Sequence, residues 1–242
     1  MINVLMLFSG SSQAFAETGY RYPKNLVEID GLPLVQRVLE QFSDISKTKR
    51  RLICLIGRDE NRRHHTGAVI KLVAPEAQLI EVNGDTSGAA CSALLAVEHI
   101  NNDEPLIIVN GDQLLVGVDP ESVVDDFRER SLDAGTVVFE DLHPRWSFVK
   151  CNDSGLVIET AEKRPISKLA TAGFYYFQRG KDFVFAATEM IKKDAHTGEK
   201  FYICPALNEL ILRQMKIGVF KIPKSSYKSL ATPSDVQAYN GL

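Results

Sequence analysis

Two short stretches of this 242-residue chain carry residue types suited to phosphate chemistry. Ser9-Gly10-Ser11-Ser12 follows an apolar run, Val4 to Phe8, and a loop then delivers Pro23-Lys24. Small residues directly after a strand leave backbone N–H groups open to an anion, because no side chain blocks the approach. A lysine brought to the same place adds a mobile cation for phosphate. The plain alternative is a strand–turn unit whose lysine faces solvent. The second stretch, Asn110-Gly111-Asp112, ends the most hydrophobic run of the chain, Pro105 to Asn110. Ligands of open parallel sheets collect at the carboxyl ends of strands, which places Asp112 for a metal ion or a hydroxyl. Turn formation and helix capping are the ordinary jobs for such an aspartate. Both stretches follow strand ends and so share one rim of a sheet. That favours Asp112 as a Mg²⁺ ligand, since Mg²⁺ takes few carboxylates together with phosphates.

Thr86-Ser87-Gly88-Ala89-Ala90 is a further small-residue turn, at the start of a helical run. It permits close backbone approach to a flat ring or a phosphate, and tight helix–sheet packing accounts for Gly88 and Ala89 equally well. Glu162-Lys163 offers an acceptor and a cation side by side beyond a strand, suited to a sugar hydroxyl and a phosphate, although a solvated pair is the default. His64 and His65 have no carboxylate or cysteine at ligand spacing and read as surface residues. Trp146 and Phe174-Tyr175-Tyr176 read as core rather than as a base-stacking platform.

The elements that must position these residues follow from hydrophobic pattern. Val4–Phe8, a short strand at Leu26–Ile29, Arg51–Gly57, Gln78–Val82 and Pro105–Asn110 read as strands. Leu34–Phe42, Asp59–Leu72 and Ala89–Ile100 read as helices between them. Strands apolar throughout, alternating with helices, indicate a parallel sheet covered on both faces. After Asp112 the pattern changes to β-rich stretches at 135–139, 145–150, 156–160 and 171–178, spaced for antiparallel or mixed pairing. Helices at 181–193 and 205–215, a strand at 217–222 and a tail helix from Pro233 complete the chain. The expected fold is α/β, an open, mostly parallel, Rossmann-like sheet with helices on both faces, extended by a β-rich second half. No linker, repeat or low-complexity segment divides it, so residues 1–242 read as one domain.

Composition narrows the class. With 45% hydrophobic residues and a net charge of -3, the chain can bury a sizeable core and has no electrostatic footprint for nucleic acid or an anionic membrane. The basic run 47–51 reads as a solvated approach to a strand. Cys54, Cys91, Cys151 and Cys204 form no CxxC pair; Cys54 and Cys91 read as core thiols of a reducing compartment, not zinc ligands. With neither a secretory leader nor a bilayer-length apolar run expected, the location expected is cytoplasmic.

In the order of its elements the chain resembles the sugar nucleotidyltransferases, nucleotide-sugar pyrophosphorylases related to glucose-1-phosphate thymidylyltransferase. Gly19-Tyr20 through Pro23-Lys24 and Leu26 to Gly31 resemble the family's G-Y-x-x-P-K-x-L-x-x-x-x-G stretch. Thr86 to Ala90 resembles its nucleobase-side turn, and Asn110-Gly111-Asp112 its metal-binding aspartate. Trp146-Ser147-Phe148, Glu162-Lys163 with Pro165-Ile166-Ser167, and Ala172-Gly173-Phe174-Tyr175 resemble its sugar-binding half. Phe201-Tyr202 with Pro205 and Asn208 resembles a stretch near the acceptor. The resemblance implies a nucleotide half, 1–115, with Ser9, Gly10, Ser11, Ser12, Ser87 and Gly88 at the nucleotide. It implies an acceptor half, 116–242, with Ser147, Glu162, Lys163, Gly173 and Asn208 at the sugar. Lys24 and Asp112 would carry the chemistry with Mg²⁺. A homo-oligomer and a place in cell-surface carbohydrate biosynthesis are implied in the same way.

The chain also departs from that family. Ser12, Gln13 and Ala14 stand where its first loop has Gly, Thr/Ser and Arg. A charge-assisted contact of the kind that arginine makes is worth on the order of 1.5–3 kcal/mol. Arg21, on the same loop, is the candidate replacement. Leu230 to Asp235 resembles a G-T-P-x-D segment with Ala231 for glycine, which makes Asp235 a second, weaker metal-ligand candidate. The expected reaction is nucleotidyl transfer from a nucleoside triphosphate to a sugar 1-phosphate or another small phosphorylated acceptor. The rivals are a GT-A-type glycosyltransferase, against which the lack of a D-x-D pair at Asp112 speaks, and a non-catalytic nucleotide-binding homologue, for which Ala14 speaks.

Overall fold

The computed structural model describes residues 1–43 and 49–241. β1 (Ile2–Phe8) leads through the Ser9–Ser12 turn to a short helix, α1 (Gln13–Glu17). A 3₁₀ turn at Lys24–Leu26 precedes a two-stranded ribbon, β2 (Glu28–Ile29) and β3 (Leu32–Pro33), and then α2 (Leu34–Glu40). Next come β4 (Arg50–Gly57), α3 (Arg58–His64), α4 (Thr66–Val73) and β5 (Gln78–Val82). Helices α5 (Ala89–Leu94) and α6 (Val97–Ile100) lead to β6 (Leu106–Asn110), β7 (Gln113–Leu115) and α7 (Pro120–Glu129). The second half holds β8 (Ala134–Glu140), β9 (Ser147–Cys151), β10 (Val157–Glu162), β11 (Leu169–Phe177), α8 (Gly180–Lys192) and α9 (Ile203–Leu212). β12 (Ile217–Lys221), β13 (Tyr227–Ser229) and α10 (Pro233–Asn240) end the chain.

Among the described residues the main sheet has nine strands, ordered β10-β9-β11-β6-β1-β4-β5, with β8 against β11 and β12 against β8. β6, β1, β4 and β5 are parallel. β11 enters antiparallel beside β6 and carries the antiparallel strands of the second half. The expected α/β architecture therefore holds, and a single continuous sheet runs through both halves. Successive residues of a strand face opposite sides: Val4, Met6 and Phe8 of β1 join one apolar cluster with α2, α4 and α7, while Leu5 and Leu7 pack in the other with α5, α8 and α9.

Three local expectations are corrected. The helix read over 59–72 is two, because His65 takes a left-handed conformation (φ 57°) between α3 and α4. The helix read over 89–100 breaks where Leu95 N and Ala96 N turn to tighter bonds with Ser92 O and Ala93 O, both 3.0 Å. Helix α7 is not anticipated by the pattern reading, although Asp119 caps it by accepting from Glu121 N and Ser122 N, and Pro120 opens it. Of the basic run 47–51, residues 47 and 48 lie outside the described residues; Arg50 starts β4 and donates to Phe42 O at 3.1 Å. All four cysteines are free thiols, Cys54 buried as expected and Cys91 half-buried. Among the described residues, no helix is long and apolar enough to cross a membrane.

Candidate active site

The carboxyl ends of β1, β5 and β6, with the amino-terminal half of the antiparallel β11, open onto a cleft of about 680 Å³, bounded on its far side by β9 and β10 and roofed by the Tyr227–Ala231 segment. The turn after β1 supplies Ser9, Gly10 and Ser11 to this cleft. Its shape is set by Glu60 on α3. Ser12 Oγ donates to Glu60 Oε2 (3.1 Å), and the Lys24 N–H donates to that same hydroxyl (3.1 Å). Asn25 Nδ2 donates both to Phe8 O and to Glu60 Oε1, each at 2.8 Å, and Thr66 Oγ1 adds a further bond at 2.9 Å. Glu60, which the motif reading passed over, thus ties the phosphate-loop candidate to the lysine segment. Ser12 is committed to that brace.

Lys24 lies under the loop and is only 6% exposed. Its Nζ sits 2.7 Å from Asp112 Oδ2. A side chain at Gly10 would place its Cβ 3.2 Å from that Nζ, so the glycine leaves room for the amine. A lysine this deep requires a charged partner, and Asp112 is that partner. Asp112 faces the cleft, and its carbonyl accepts the Leu230 N–H at 2.8 Å, tying the roof to the end of β6.

On the far side, Glu162 ends β10 and is 8% exposed. It accepts a short hydrogen bond from Ser147 Oγ. Burial pushes its carboxyl above the ordinary range, against the lowering effect of Ser147 and of the Lys163 charge. This corrects the default surface-pair reading, since Glu162 belongs to the cleft wall. Lys163 is exposed and bonds Tyr202 Oη at 3.0 Å, a contact that also holds its own proton more firmly. Gly173 lines the cleft at the irregular point of β11, with φ 61°. A side chain there would collide with the Gln113 and Asn110 amides.

Several candidates have work elsewhere. Gly88 faces the cleft, but its positive φ (112°) and the Phe201 backbone explain it first: a Cβ would collide with the Phe201 carbonyl. Ser87 O accepts the Phe201 N–H at 2.7 Å, and Ala90 N donates back to Phe201 O at 3.0 Å, which stitches this turn to the approach of α9. Asn208 spans the Thr160 backbone, accepting its N–H and donating to its carbonyl, both at 2.9 Å, and so aligns β10 rather than reaching the cleft. Both oxygens of Asp235 are taken by Arg145, at 3.2 and 2.9 Å, and its Oδ2 also accepts from Ser229 Oγ and Thr232 N. Burial would raise its pKa, but these bonds outweigh it and hold the carboxyl low. Among the described residues no group of three His, Cys, Asp or Glu side chains is gathered for a metal. A single carboxylate beside the Ser9–Ser12 turn could hold a cation that takes its other ligands from substrate and water, and Asp112 stands in that position.

Cleft residues that the sequence reading did not single out include Asp85, Arg145, Lys200 and Tyr227, and Trp146 both packs on the core and lines the cleft. The Arg145 guanidinium lies 4.4 Å from the centre of the Trp146 ring, and that ring meets Tyr227 edge-on at 5.4 Å. No spacing rule joins Arg145 to Asp235; β13 pairing with β7 brings them together. Phe174, Tyr175 and Tyr176 are core as expected, and Tyr175 Oη reaches Thr171 Oγ1 (3.1 Å) at the cleft floor. His65 is exposed as expected. A second cavity, about 360 Å³, adjoins the cleft through Ser9, Gly10 and Ser11 and contains Arg21.

Comparison with known proteins places this geometry. A family model described as nucleotidyl transferase matches residues 4–216. The UTP–glucose-1-phosphate uridylyltransferase AglF of Haloferax volcanii is 28% identical over 209 residues, covering 83% of this chain and 79% of that protein. The nucleoside-diphosphate-sugar pyrophosphorylase of Vibrio cholerae RC9 superposes with a TM-score of 0.85 over all of both chains at 23% identity. A UDP-glucose pyrophosphorylase solved with UDP-glucose superposes at 0.76 over 100% of this chain and 98% of that one, at 16% identity. With the Ser9–Ser12 turn, a buried lysine and a strand-end aspartate on one rim, and the family model matching residues 4–216, this chain belongs to the nucleotidyl transferase family.

Proposed function

We propose that this enzyme transfers a nucleotidyl group from a nucleoside triphosphate to a sugar 1-phosphate, or to another small phosphorylated acceptor, releasing pyrophosphate. The observation that carries the reading is the 2.7 Å pair of Lys24 with Asp112 at the mouth of the Ser9–Ser11 loop. The acceptor's phosphate oxygen attacks the α-phosphorus, and the bond from that phosphorus to the β-phosphate's bridging oxygen breaks. The electron pair leaves with pyrophosphate, and no proton has to move. Such a reaction asks for positioning and charge neutralisation more than for a base. Backbone amides of Gly10 and Ser11 hold phosphate oxygens, and Lys24 takes charge that develops at phosphorus. Asp112 would hold Mg²⁺, which supplies Lewis-acid stabilisation there when bound.

Residues 1–115 form the nucleotide half and 116–242 the acceptor half of one catalytic domain. Ser147 and the buried Glu162 take acceptor hydroxyls, and Lys163 stands at the exit with Tyr202. UTP and glucose 1-phosphate are the first pair to try, given the AglF name. Four free thiols suit a cytoplasmic enzyme supplying activated sugars for surface polysaccharide. The test is pyrophosphate release with Mg²⁺ across five nucleoside triphosphates and a panel of sugar 1-phosphates. Release that needs one triphosphate and one acceptor supports the reading. Silence across the panel, with the protein folded, ends it.

A further inference from the structure

The second cavity lies beside the turn after β1, opposite the acceptor side. Along the sheet, β9 and β10 carry Ser147 and Glu162, β6 carries Asp112, β1 carries the phosphate loop, and β4 and β5 follow. The cavity opens at the ends of β1, β4 and β5. An in-line displacement puts the leaving oxygen across the reacting phosphorus from the attacking one. With the acceptor at β9 and β10, the leaving group points toward β4.

The geometry points to this cavity as the pyrophosphate subsite, its charge met by Arg58 and Arg63 of α3 together with Arg21. Ala14 carries no charge and lines neither cavity, so that position brings no cation. Arg21, Arg58 and Arg63 all line this one and are exposed. Arg58 Nε touches Glu81 Oε2 at 3.3 Å, whereas Arg21 and Arg63 carry no ion pair among the described residues. Three carboxylates also face the cavity: Asp59, Asp85 and Glu60. Glu60 is occupied by Ser12, Asn25 and Thr66. A guanidinium presents paired N–H donors that match phosphate oxygens. The charge that one loop arginine would supply therefore comes from Arg21 and, across the cavity, from the helix after β4.

This inference rests on the proposed reaction, and the test separates the two. Binding of inorganic pyrophosphate and of the matching nucleoside monophosphate is measured by calorimetry on the whole chain, for wild type and for Arg58→Gln/Arg63→Gln. Both side chains are exposed, so the fold is expected to survive, and a circular-dichroism melt checks it. The expected result is pyrophosphate binding weakened at least about tenfold, with monophosphate binding within about twofold. Unchanged pyrophosphate binding in the double variant overturns the inference while leaving a pyrophosphate-releasing wild type as proposed. Loss of monophosphate binding instead would assign the cavity to the base and also overturn it. A wild type that binds no pyrophosphate and releases none sinks both readings.

Discussion

Lys24 and Asp112 are 88 positions apart, and the half-buried Asp112 is the charged partner that lets Lys24 be buried. Asp112→Asn leaves the lysine without a charged partner and removes the carboxylate that suits a divalent cation. Pyrophosphate release should fall by at least about 100-fold, the scale of losing one charge-stabilising group, and extra Mg²⁺ should not restore it. Near-wild-type rates would take Asp112 out of the chemistry. Glu162 makes a prediction of the opposite sign for stability. Burial raises its folded pKa, so the folded protein binds this proton more tightly than the unfolded chain. Stability therefore falls as pH rises from the unfolded value to the raised folded one, and stays lower above it. Glu162→Gln should melt higher than wild type at pH 7, the gain closing below about pH 4, while the KM for the acceptor rises. A lower melting temperature at pH 7 would show that the carboxylate is structural. Lys24, Asp112 and Gly10 were readable from residue type and position. The burial of Glu162 was not, because two adjacent charges say nothing about which of them turns inward.

Elements explain the residues that look catalytic but are engaged elsewhere. Gly88 sits where the Ser87–Ala90 turn meets the Phe201 backbone, and the positive φ adds to the crowding. Gly88→Ala should destabilise by roughly 1–3 kcal/mol, read as a lower urea midpoint; an unchanged midpoint would mean the turn has slack. Asp235 closes a capping box with Thr232 at the start of α10 and pairs with Arg145. Asp235→Asn should cost about 1 kcal/mol of stability and leave the Mg²⁺ requirement as it was. A shifted Mg²⁺ dependence would return Asp235 to the metal. Strand existence was clear from apolar runs. The splitting of the 59–72 and 89–100 helices was not, since a left-handed His65 and a tightened turn at Ala96 leave the hydrophobic spacing intact.

At the scale of the molecule, one sheet carries the Ser9–Ser12 turn, Asp112 and the Ser147–Glu162 wall proposed for the acceptor. Saturating nucleotide should therefore raise the melting temperature of the whole chain in one transition. At a hundred times Kd the gain is about 2.7 kcal/mol, and two separated transitions in calorimetry would divide the proposed halves. The sequence by itself determined the parallel sheet, the rim on which Ser9–Ser11 and Asp112 meet, and the family resemblance. Those depend on local properties: apolar strands, small residues after them and short motifs in order. Only the tertiary structure decided that Glu60 braces the loop, that Arg145 and Tyr227 enter the cleft, and that Arg58 and Arg63 face a cavity beside it. These depend on strand order and on the β7–β13 pairing, which join residues tens of positions apart that no local pattern connects.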